Sequence, residues 1–238
     1  MANKPFNIVL AGPSGVGKTT IANFLSEELG IKFISGSVSD LLPDTKNISH
    51  ADMLARDSKD LYKEDYQILN LRNKLFSQEE ESFISDRSFL DSAAYFLYKQ
   101  ADKIPACEVE QFLGLAKMAT LQNINYLVLV DYTIDMFNNW VIEDNHKRVI
   151  SRYFQMEISC IMSMILEIWG VKWENCPRTL REHPEDGNLF EKIFGRIICL
   201  ENSVLMGEIS NLYGTTKVIV IKEANKELRE KILKNLFK

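Results

Sequence analysis

The sequence has few residues from which a metal cluster or a disulfide framework could be built. Its four cysteines and three histidines are scattered over 238 residues, and no two cysteines form a CxxC pair. Zinc sites and disulfide scaffolds both need ligands at close, regular spacing. We therefore expect neither, and we expect buried, reduced thiols in a cytoplasmic protein.

Long apolar runs and excess positive charge are also absent. The run Phe6–Leu10 is too short for a signal core or a membrane span, so no membrane association is expected. The most apolar helical stretch, Val149–Trp169, is interrupted by Arg152, Gln155, Glu157 and Glu167. The net charge of -5 argues against broad, non-specific binding of duplex nucleic acid, although a local basic pocket stays open.

The remaining pattern is that of an α/β protein. Without repeats, low-complexity tracts or Gly/Ser linkers, the sequence predicts a single domain over residues 1–238. Strand-length apolar runs alternate with helical patterns, which predicts βαβ units and a parallel sheet flanked by helices. The predicted strands are Phe6–Ala11, Ile31–Ser35, Ser82–Asp86, Asn125–Val130 and Lys217–Ile221. The predicted helices are Lys18–Leu29, Lys59–Glu80, Phe89–Ala101, Glu108–Gln122, a long helix from about Arg148, and Asn225–Phe237.

Two segments interrupt this alternation. Residues 36–58 are rich in Ser, Asp and Asn and predict a long loop with one helical turn. Residues 171–214 contain prolines and a turn-like Glu185-Asp186-Gly187-Asn188, followed by a helical pattern. We interpret 171–214 as a mostly helical insertion before the last strand.

A phosphate-binding loop lies between the first strand and the first helix. Gly12-Pro13-Ser14-Gly15-Val16-Gly17-Lys18-Thr19 matches the pattern GxxxxGK[ST] in full. Its glycines let successive backbone N–H groups point at one cluster of oxygens, and the helix dipole adds to the attraction. Lys18 is expected to reach the β- and γ-phosphates of ATP, and the Thr19 hydroxyl to bind Mg²⁺. The predicted nucleotide-binding residues are Gly12, Ser14, Gly15, Val16, Gly17, Lys18, Thr19 and Thr20.

A second candidate feature is Asp86-Arg87-Ser88, at the end of the third predicted strand. The carboxyl ends of parallel strands share one edge, so Asp86 should lie near the phosphate loop. Its carboxylate could hold Mg²⁺ or accept the proton of an attacking hydroxyl. Arg87 could bind a phosphate of the acceptor or of ATP. The alternative is a surface ion pair with Ser88 as a helix N-cap.

These residues together resemble the nucleoside and nucleotide kinases of the P-loop superfamily. Thymidylate kinases carry a related Asp-Arg-Tyr/His, and deoxynucleoside kinases a related Glu-Arg-Ser. The family that contains the nicotinamide-riboside kinase domain has an Asp-Arg-Ser and a following Asp that match Asp86, Arg87, Ser88 and Asp91. The resemblance covers about residues 5–170 and 215–238. It implies a P-loop NTPase fold with a five-stranded parallel sheet in the order 2-3-1-4-5, Asp86 as base or Mg²⁺ partner, and Arg87 on an acceptor or a phosphate.

The chain departs from the deoxynucleoside kinases after its second strand. Those enzymes usually place an acidic residue close to that strand end. Here the segment is Ser35-Gly36-Ser37, and Asp40 is the first carboxylate. The identity of the general base therefore stays open.

Residues 143–155 form a candidate lid. Arg148 and Arg152 are four residues apart and would share one face of a helix. A helix start that carries two arginines after a polar loop resembles the lid of nucleotide kinases, whose arginines cover the γ-phosphate and stabilise its charge during transfer. The alternative is that both are solvated or paired with neighbouring carboxylates.

Acceptor specificity is expected from aromatic and polar residues around the loop after the second strand and the two following helices. The candidates are Tyr66, Gln67, Arg72, Phe89 and Tyr95, with Phe137 and Trp140 after the fourth strand. Aromatic residues at helical spacing belong more often to the core than to a pocket.

The sequence therefore predicts a kinase that uses ATP and Mg²⁺ to phosphorylate a nucleoside or nucleoside monophosphate. A kinase acting on a modified base or end in DNA or RNA is one alternative, and a regulatory P-loop NTPase is another. No motif for reading a guanine base is found, and Leu129-Val130-Asp131 has only one of the two adjacent acidic residues expected in an AAA-type ATPase. A homodimer is compatible with the resemblance.

Overall fold

The computed structural model describes residues 6–43, 57–132, 137, 151–174, 207–212, 216–221, 230 and 234. Its strands are β1 (Asn7–Ala11), β2 (Lys32–Ile34), β3 (Phe83–Ser85), β4 (Tyr126–Val130), β5 (Lys172–Glu174), β6 (Gly207–Leu212) and β7 (Thr216–Ile221). Its helices are α1 (Lys18–Leu29), α2 (Val38–Leu41), α3 (Ser58–Ser77), α4 (Phe89–Gln100), α5 (Ala106–Asn123) and α6 (Arg152–Ile168).

The described strands form one sheet in the order β2-β3-β1-β4-β7-β6-β5. The five strands that the sequence predicted are parallel to one another and follow the predicted order. Ile8 of β1 pairs with Ile84 of β3 on one side and with Tyr126 of β4 on the other. The carboxyl ends of β1, β3 and β4 therefore lie side by side, at the edge where ligands bind in such sheets.

The described ends of the insertion are strands rather than helices. β5 and β6 pair antiparallel with each other, and β6 pairs antiparallel with β7. The sheet therefore has seven strands, two more than predicted. The prediction missed them because β5 has only three residues and β6 contains Gly207, Glu208, Ser210 and Asn211, which favour turns and loops. The helical pattern predicted around residues 190–197 lies outside the described residues.

The core is divided into two layers by the sheet. Along β1, Ile8 and Leu10 face a cluster with Ile21 and Leu25 of α1. Val9 and Ala11, which alternate with them, face a larger cluster built mainly from α4, α5 and α6. Burial on both faces explains why β1 and β4 have nearly continuous apolar runs.

Local sequence signals place the helices close to their predicted bounds. α1 matches its prediction and ends at Gly30, whose φ of 64° is the left-handed conformation of a glycine C-cap. α4 begins with a capping box in which Ser88 and Asp91 each bind the other's backbone N–H. α6 is different, because it begins at Arg152 and not near Arg148. Ser151 is its N-cap in an extended conformation and accepts a hydrogen bond from the Phe154 N–H.

Two further expectations can be compared with the structure. Cys107 and Cys160 are exposed, so the prediction of buried thiols is wrong for both. Among the described helices, none is both long enough and apolar enough to cross a membrane. Most of the predicted helix Asn225–Phe237 lies outside the described residues.

Candidate functional site

The phosphate loop connects β1 to α1, as its spacing predicts. Gly12, Gly15 and Gly17 have φ values of 147°, 86° and 85°. A side chain at Gly12 would run into the Val130 carbonyl at the end of β4, so the loop passes close to the neighbouring strand. Lys18 is 3% exposed, and its ammonium donates hydrogen bonds to the carbonyl oxygens of Gly12 (2.5 Å) and Pro13 (2.7 Å). The loop therefore curls around its own lysine.

Asp86 lies next to the start of α1, although the two are far apart in sequence. The Thr19 hydroxyl donates to Asp86 Oδ2 at 2.5 Å. Asp86 is 5% exposed, and its Oδ1 has no hydrogen-bond partner among the described residues. A buried carboxylate oxygen without a partner is costly unless a cation or donor joins it.

This pair of oxygen donors fits Mg²⁺. Mg²⁺ binds through one or two protein oxygens and fills its remaining positions with water and substrate phosphates. Thr19 and Asp86 would supply those protein oxygens. The described residues contain no group of three or more His, Cys, Asp or Glu that could hold a metal by themselves. A metal here would therefore depend on the phosphates of a nucleotide.

Asp91 connects the two motifs. Its Oδ2 accepts hydrogen bonds from the Ser88 N–H (2.9 Å) and hydroxyl (2.6 Å). Its Oδ1 lies 4.0 Å from both Lys18 Nζ and Arg87 NH1. The carboxylate that begins α4 thus sits between the cation of the phosphate loop and the cation of the Asp-Arg-Ser turn.

Arg72 of α3 supports this region from below the surface. It is 2% exposed and donates to the carbonyl oxygens of Gly36 (2.7 Å) and Ser88 (3.0 Å) and to the Ser92 hydroxyl. Burial lowers the pKa of its guanidinium to about 10, an effect opposed by the nearby Asp91. Arg72 remains charged at neutral pH. It ties the loop after β2 to the start of α4 and does not line an open acceptor pocket.

The loop after β2 carries its own carboxylate. Asp40 Oδ2 accepts hydrogen bonds from the hydroxyls of Ser35 (2.5 Å) and Ser37 (2.6 Å). Gly36, between them, is buried, and a Cβ there would lie 2.9 Å from Arg87 Cβ and 3.1 Å from Ser85 Oγ. The loop after β2 therefore packs directly against the Asp-Arg-Ser turn.

A neutral amide of α6 also contacts the phosphate loop. Gln155, in the first turn of α6, is 8% exposed and donates from Nε2 to the Ser14 carbonyl at 2.6 Å. One turn later, the Ser159 hydroxyl donates to Asp131, the residue that follows β4. α6 is thus tied both to the phosphate loop and to the end of β4.

The candidate lid is placed only in part. Arg148, Trp140 and most of residues 143–155 lie outside the described residues. The guanidinium of Arg152 stacks on the rings of Phe137 and Tyr153, at 4.5 and 5.4 Å from their centroids. Because Arg148 lies outside the described residues, the expectation that it and Arg152 act together stays a prediction.

The aromatic acceptor candidates divide into core and edge. Tyr66 packs on Tyr62, Phe96 and Phe112, and Phe89 is fully buried, so both belong to the core. Gln67 is exposed on α3. Of Tyr66, Phe89 and Tyr95, Tyr95 is the one that lies at the site, where burial raises its pKa to about 12 and the charge of Arg87 partly offsets the rise.

Sequence reasoning missed the role of Gln155 altogether. It was noted only as a polar interruption of an apolar helix. The signal that it carried is that a buried polar side chain on an apolar helix face needs a partner. Nothing in its spacing from the phosphate loop, 141 residues along the chain, names that partner.

Comparison with protein families gives one match, to an AAA domain, over residues 7–182. That range includes β1 to β4, α1 to α6 and all the site residues described above. The comparison with curated proteins found no match.

Several solved structures resemble the chain at low identity. A deoxyadenosine kinase from M. mycoides with bound dATP has 15% identity and a TM-score of 0.48, over 68% of this chain and 84% of that one. A shikimate kinase from Acinetobacter baumannii in complex with shikimate has 17% identity and a TM-score of 0.41, over 70% and 76%. The NadR protein in complex with NR has 11% identity and a TM-score of 0.42, over 72% and 53%.

Scores at this level say nothing about activity, so the assignment depends on the family match and on the topology. The parallel order β2-β3-β1-β4-β7, with the phosphate loop after the central β1, is that of an α/β P-loop NTPase. The chain belongs to the AAA domain family of P-loop NTPases.

Proposed function

We propose that the chain is a phosphotransferase that moves the γ-phosphate of Mg²⁺-ATP to a small acceptor, a nucleoside or a nucleoside monophosphate. The observation that carries the proposal is the Thr19–Asp86 contact of 2.5 Å beside the buried Lys18. It brings a hydroxyl, a carboxylate and an ammonium to the carboxyl edge of β1 and β3. These are the groups that phosphoryl transfer needs for the metal, the acceptor proton and the phosphate charge.

The charge balance of the site favours an anionic ligand. Three cations, Lys18, Arg72 and Arg87, surround two carboxylates, Asp86 and Asp91. The excess positive charge is in a mostly buried region, where electrostatic interactions are stronger than in water. Phosphate groups would complete this balance, with Mg²⁺ offsetting part of their charge.

In the proposed reaction an acceptor oxygen, the hydroxyl of a nucleoside or a phosphate oxygen of a monophosphate, attacks the γ-phosphorus. The bond to the bridging oxygen breaks, and ADP leaves. Asp86 takes the hydroxyl proton or holds the metal, and Lys18 and Arg87 stabilise the charge on the transferred group. Mg²⁺ would supply charge neutralisation at the phosphates through the Thr19 and Asp86 oxygens. Arg152, and with it Arg148, would add positive charge from the lid side.

The acceptor would lie at the sheet edge beside the loop after β2 and the Asp-Arg-Ser turn. These two segments are in contact at Gly36 and Arg87. The Ser35 and Ser37 hydroxyls and the Asp40 carboxylate form a polar group at that strand end, suited to the hydroxyls of a sugar. Arg87 is 28% exposed in its side chain, which leaves it accessible to a phosphate.

An ADP-release assay with Mg²⁺-ATP and a panel of acceptors tests the proposal. The panel contains nucleosides, nucleoside monophosphates, nicotinamide riboside and short oligonucleotides with normal and hydroxymethylated bases. Strong stimulation by one small molecule is the expected result. Stimulation by oligonucleotides alone would replace the proposal with a nucleic-acid kinase. Steady hydrolysis that no acceptor stimulates would replace it with a regulatory NTPase.

A further inference from the structure

Gln155 is buried against the phosphate loop, and none of the proposed chemistry uses it. Its Nε2 donates to the Ser14 carbonyl at 2.6 Å. The same nitrogen would lie 2.9 Å from a Cβ at Gly15, so the amide fills the space that a side chain there would need. Its Oε1 is buried and has no hydrogen-bond partner among the described residues. The Nε2 group of this buried amide thus bonds to the phosphate loop.

The planarity of the peptide bond gives this contact a consequence. In a trans peptide, the C=O of one residue and the N–H of the next point in opposite directions. A hydrogen bond that holds the Ser14 carbonyl toward Gln155 therefore turns the Gly15 N–H away from it. Gly15 has a φ of 86° and, lacking a side chain, little preference of its own between orientations. A hydrogen bond from another part of the chain can therefore fix the orientation of the Ser14–Gly15 peptide.

The residue before Ser14 adds no donor to the loop, because Pro13 has no backbone N–H. The Gly15 N–H belongs to the same peptide as the Ser14 carbonyl, which accepts from Gln155. The orientation of the Gly15 N–H therefore depends on Gln155.

α6 is a firm support for this bond. Ser159, one turn after Gln155, donates to Asp131 and accepts from the Tyr132 N–H at 3.1 Å. Phe154, next to Gln155, packs on Tyr95 and Tyr98 of α4. The contacts of Phe154 and Ser159 thus fix the part of α6 that carries Gln155. A residue that positions a loop needs such a rigid support.

We propose that Gln155 is a positioning residue for nucleotide binding: it orients the Ser14–Gly15 peptide so that the Gly15 N–H faces the bound phosphates. The inference rests on the proposed function only in assuming that the loop binds a nucleotide. It does not depend on the acceptor.

The test compares Gln155→Ala and Gln155→Glu with Gln111→Ala in the full chain. Gln111 is an exposed residue of α5, so its substitution is the same truncation at a position without such a contact. The Kd for Mg²⁺-ATP and Mg²⁺-ADP is measured by calorimetry, KM and kcat by ADP release, and Tm by thermal unfolding. Gln155→Ala should raise both Kd values and the KM for ATP about five- to tenfold, the effect of one buried hydrogen bond. The acceptor KM and the Tm should stay near those of Gln111→Ala.

Gln155→Glu separates the hydrogen bond from the packing. The carboxylate has nearly the shape of the amide but no N–H, and it faces the Ser14 carbonyl, so its effect on nucleotide binding should exceed that of the truncation. Nucleotide binding as strong as in the wild type for either variant would overturn the proposal. A lower Tm with unchanged Kd would also overturn it, since that is the mark of a purely structural residue.

A double-mutant cycle gives a second measurement, which tests the contact between Gln155 and Gly15 directly. Gly15→Ala introduces a Cβ that meets Gln155 and also strains a positive φ. In a double-mutant cycle with Gln155→Ala, the clash is relieved and only the strain remains, so the Kd penalty of Gly15→Ala should shrink. Equal penalties in both backgrounds would contradict a direct contact. Absence of nucleotide binding by the wild type would instead overturn the proposed function itself.

Discussion

Two parts of the molecule hold the phosphate loop through groups of different chemistry. At β3 and α4, Asp86 accepts a hydrogen bond from Thr19, and Asp91 lies 4.0 Å from both Lys18 and Arg87. On the side of α6, the described contact is made by a neutral amide, that of Gln155. Charge acts over distance and tolerates small displacements, whereas a neutral hydrogen bond acts only in one geometry.

This difference suggests a division of labour. The charged side supplies what a transferred phosphate needs, namely a metal ligand, a proton acceptor and compensating cations. The neutral side adds no charge and sets the orientation of one peptide. Substitutions on the charged side should therefore reduce kcat, and those on the neutral side should mainly weaken nucleotide binding.

The largest effect is expected for Lys18→Ala. Loss of this ammonium removes a preorganised charge from the transferred phosphate, so turnover should fall at least about 100-fold. Steady-state ADP release with saturating acceptor measures it. Lys103→Ala, an exposed lysine after α4, is the matched control and should turn over normally. Near-normal turnover in Lys18→Ala would contradict a role of the phosphate loop in phosphate transfer.

Asp86→Asn should come next. The amide can still accept from Thr19, but the negative charge is lost, so kcat should fall at least about tenfold and more than ATP affinity does. Single-turnover transfer and ATP titration separate the two quantities, with Asp102→Asn as the exposed control. Equal loss of binding and turnover would limit Asp86 to holding the metal.

Gly36→Ala tests whether the acceptor loop belongs to the charged side. Its Cβ would lie 2.9 Å from Arg87 Cβ, a backbone-attached atom that cannot simply rotate away. We expect a loss of about 1–3 kcal/mol in unfolding free energy, as for other overpacked sites, together with a higher acceptor KM. Gly114→Ala is the matched control, because Gly114 lies on α5 with open space around it.

That control carries its own expectation. Alanine has the higher helix propensity, so Gly114→Ala should raise the unfolding free energy by about 0.5–1 kcal/mol. Urea unfolding of both variants measures the pair. If Gly36→Ala were as stable as the wild type and had an unchanged acceptor KM, the contact between this loop and the Asp-Arg-Ser turn would have no role in stability or acceptor binding.

The smallest effect is expected for a charged pair remote from the loop. Asp65 of α3 pairs with Lys99 of α4, and burial raises the pKa of Asp65 above its usual 3.8 although Lys99 opposes the rise. A carboxyl with a raised pKa stabilises the fold fully below pH 3.8 and loses that contribution as the pH rises through its folded pKa.

The free energy of unfolding of Asp65→Asn, relative to that of the wild type, should therefore be higher at about pH 7 than at about pH 4. Urea unfolding across this range gives the difference, and Asp102→Asn should show no such trend. Turnover should stay close to normal. If the stability of Asp65→Asn relative to the wild type fell as the pH rose, the ion pair with Lys99 would outweigh the effect of burial on Asp65.

Local signals in the sequence predicted most of the fold. The phosphate loop, Gly30 and the capping residues Ser88 and Asp91 act within a few residues, so helix bounds near them could be inferred. The order of the five parallel strands came from the resemblance and is confirmed. The antiparallel strands β5 and β6 were missed because their short, polar segments are stabilised by pairing with β7 rather than by an apolar pattern of their own.

The site was predictable where one motif determines position, and not where distant segments meet. Lys18, Thr19 and Asp86 follow from a loop and a strand end at one sheet edge. The contacts of Arg72 with Gly36 and of Gln155 with Ser14 join residues 36 and 141 positions apart, and no periodicity encodes them. The sequence therefore suggests Arg72 as a residue of an acceptor pocket, whereas its side chain is buried below the surface.

The central claim is that this edge transfers phosphate, and label transfer tests it most directly. The full chain is incubated with Mg²⁺ and ATP labelled at the γ-phosphate, together with the small acceptors, and the products are separated. The account predicts label in one small acceptor with the wild type and with Gln155→Ala at high ATP, and almost none with Lys18→Ala. Label released only as inorganic phosphate, or equal transfer by Lys18→Ala, would contradict it.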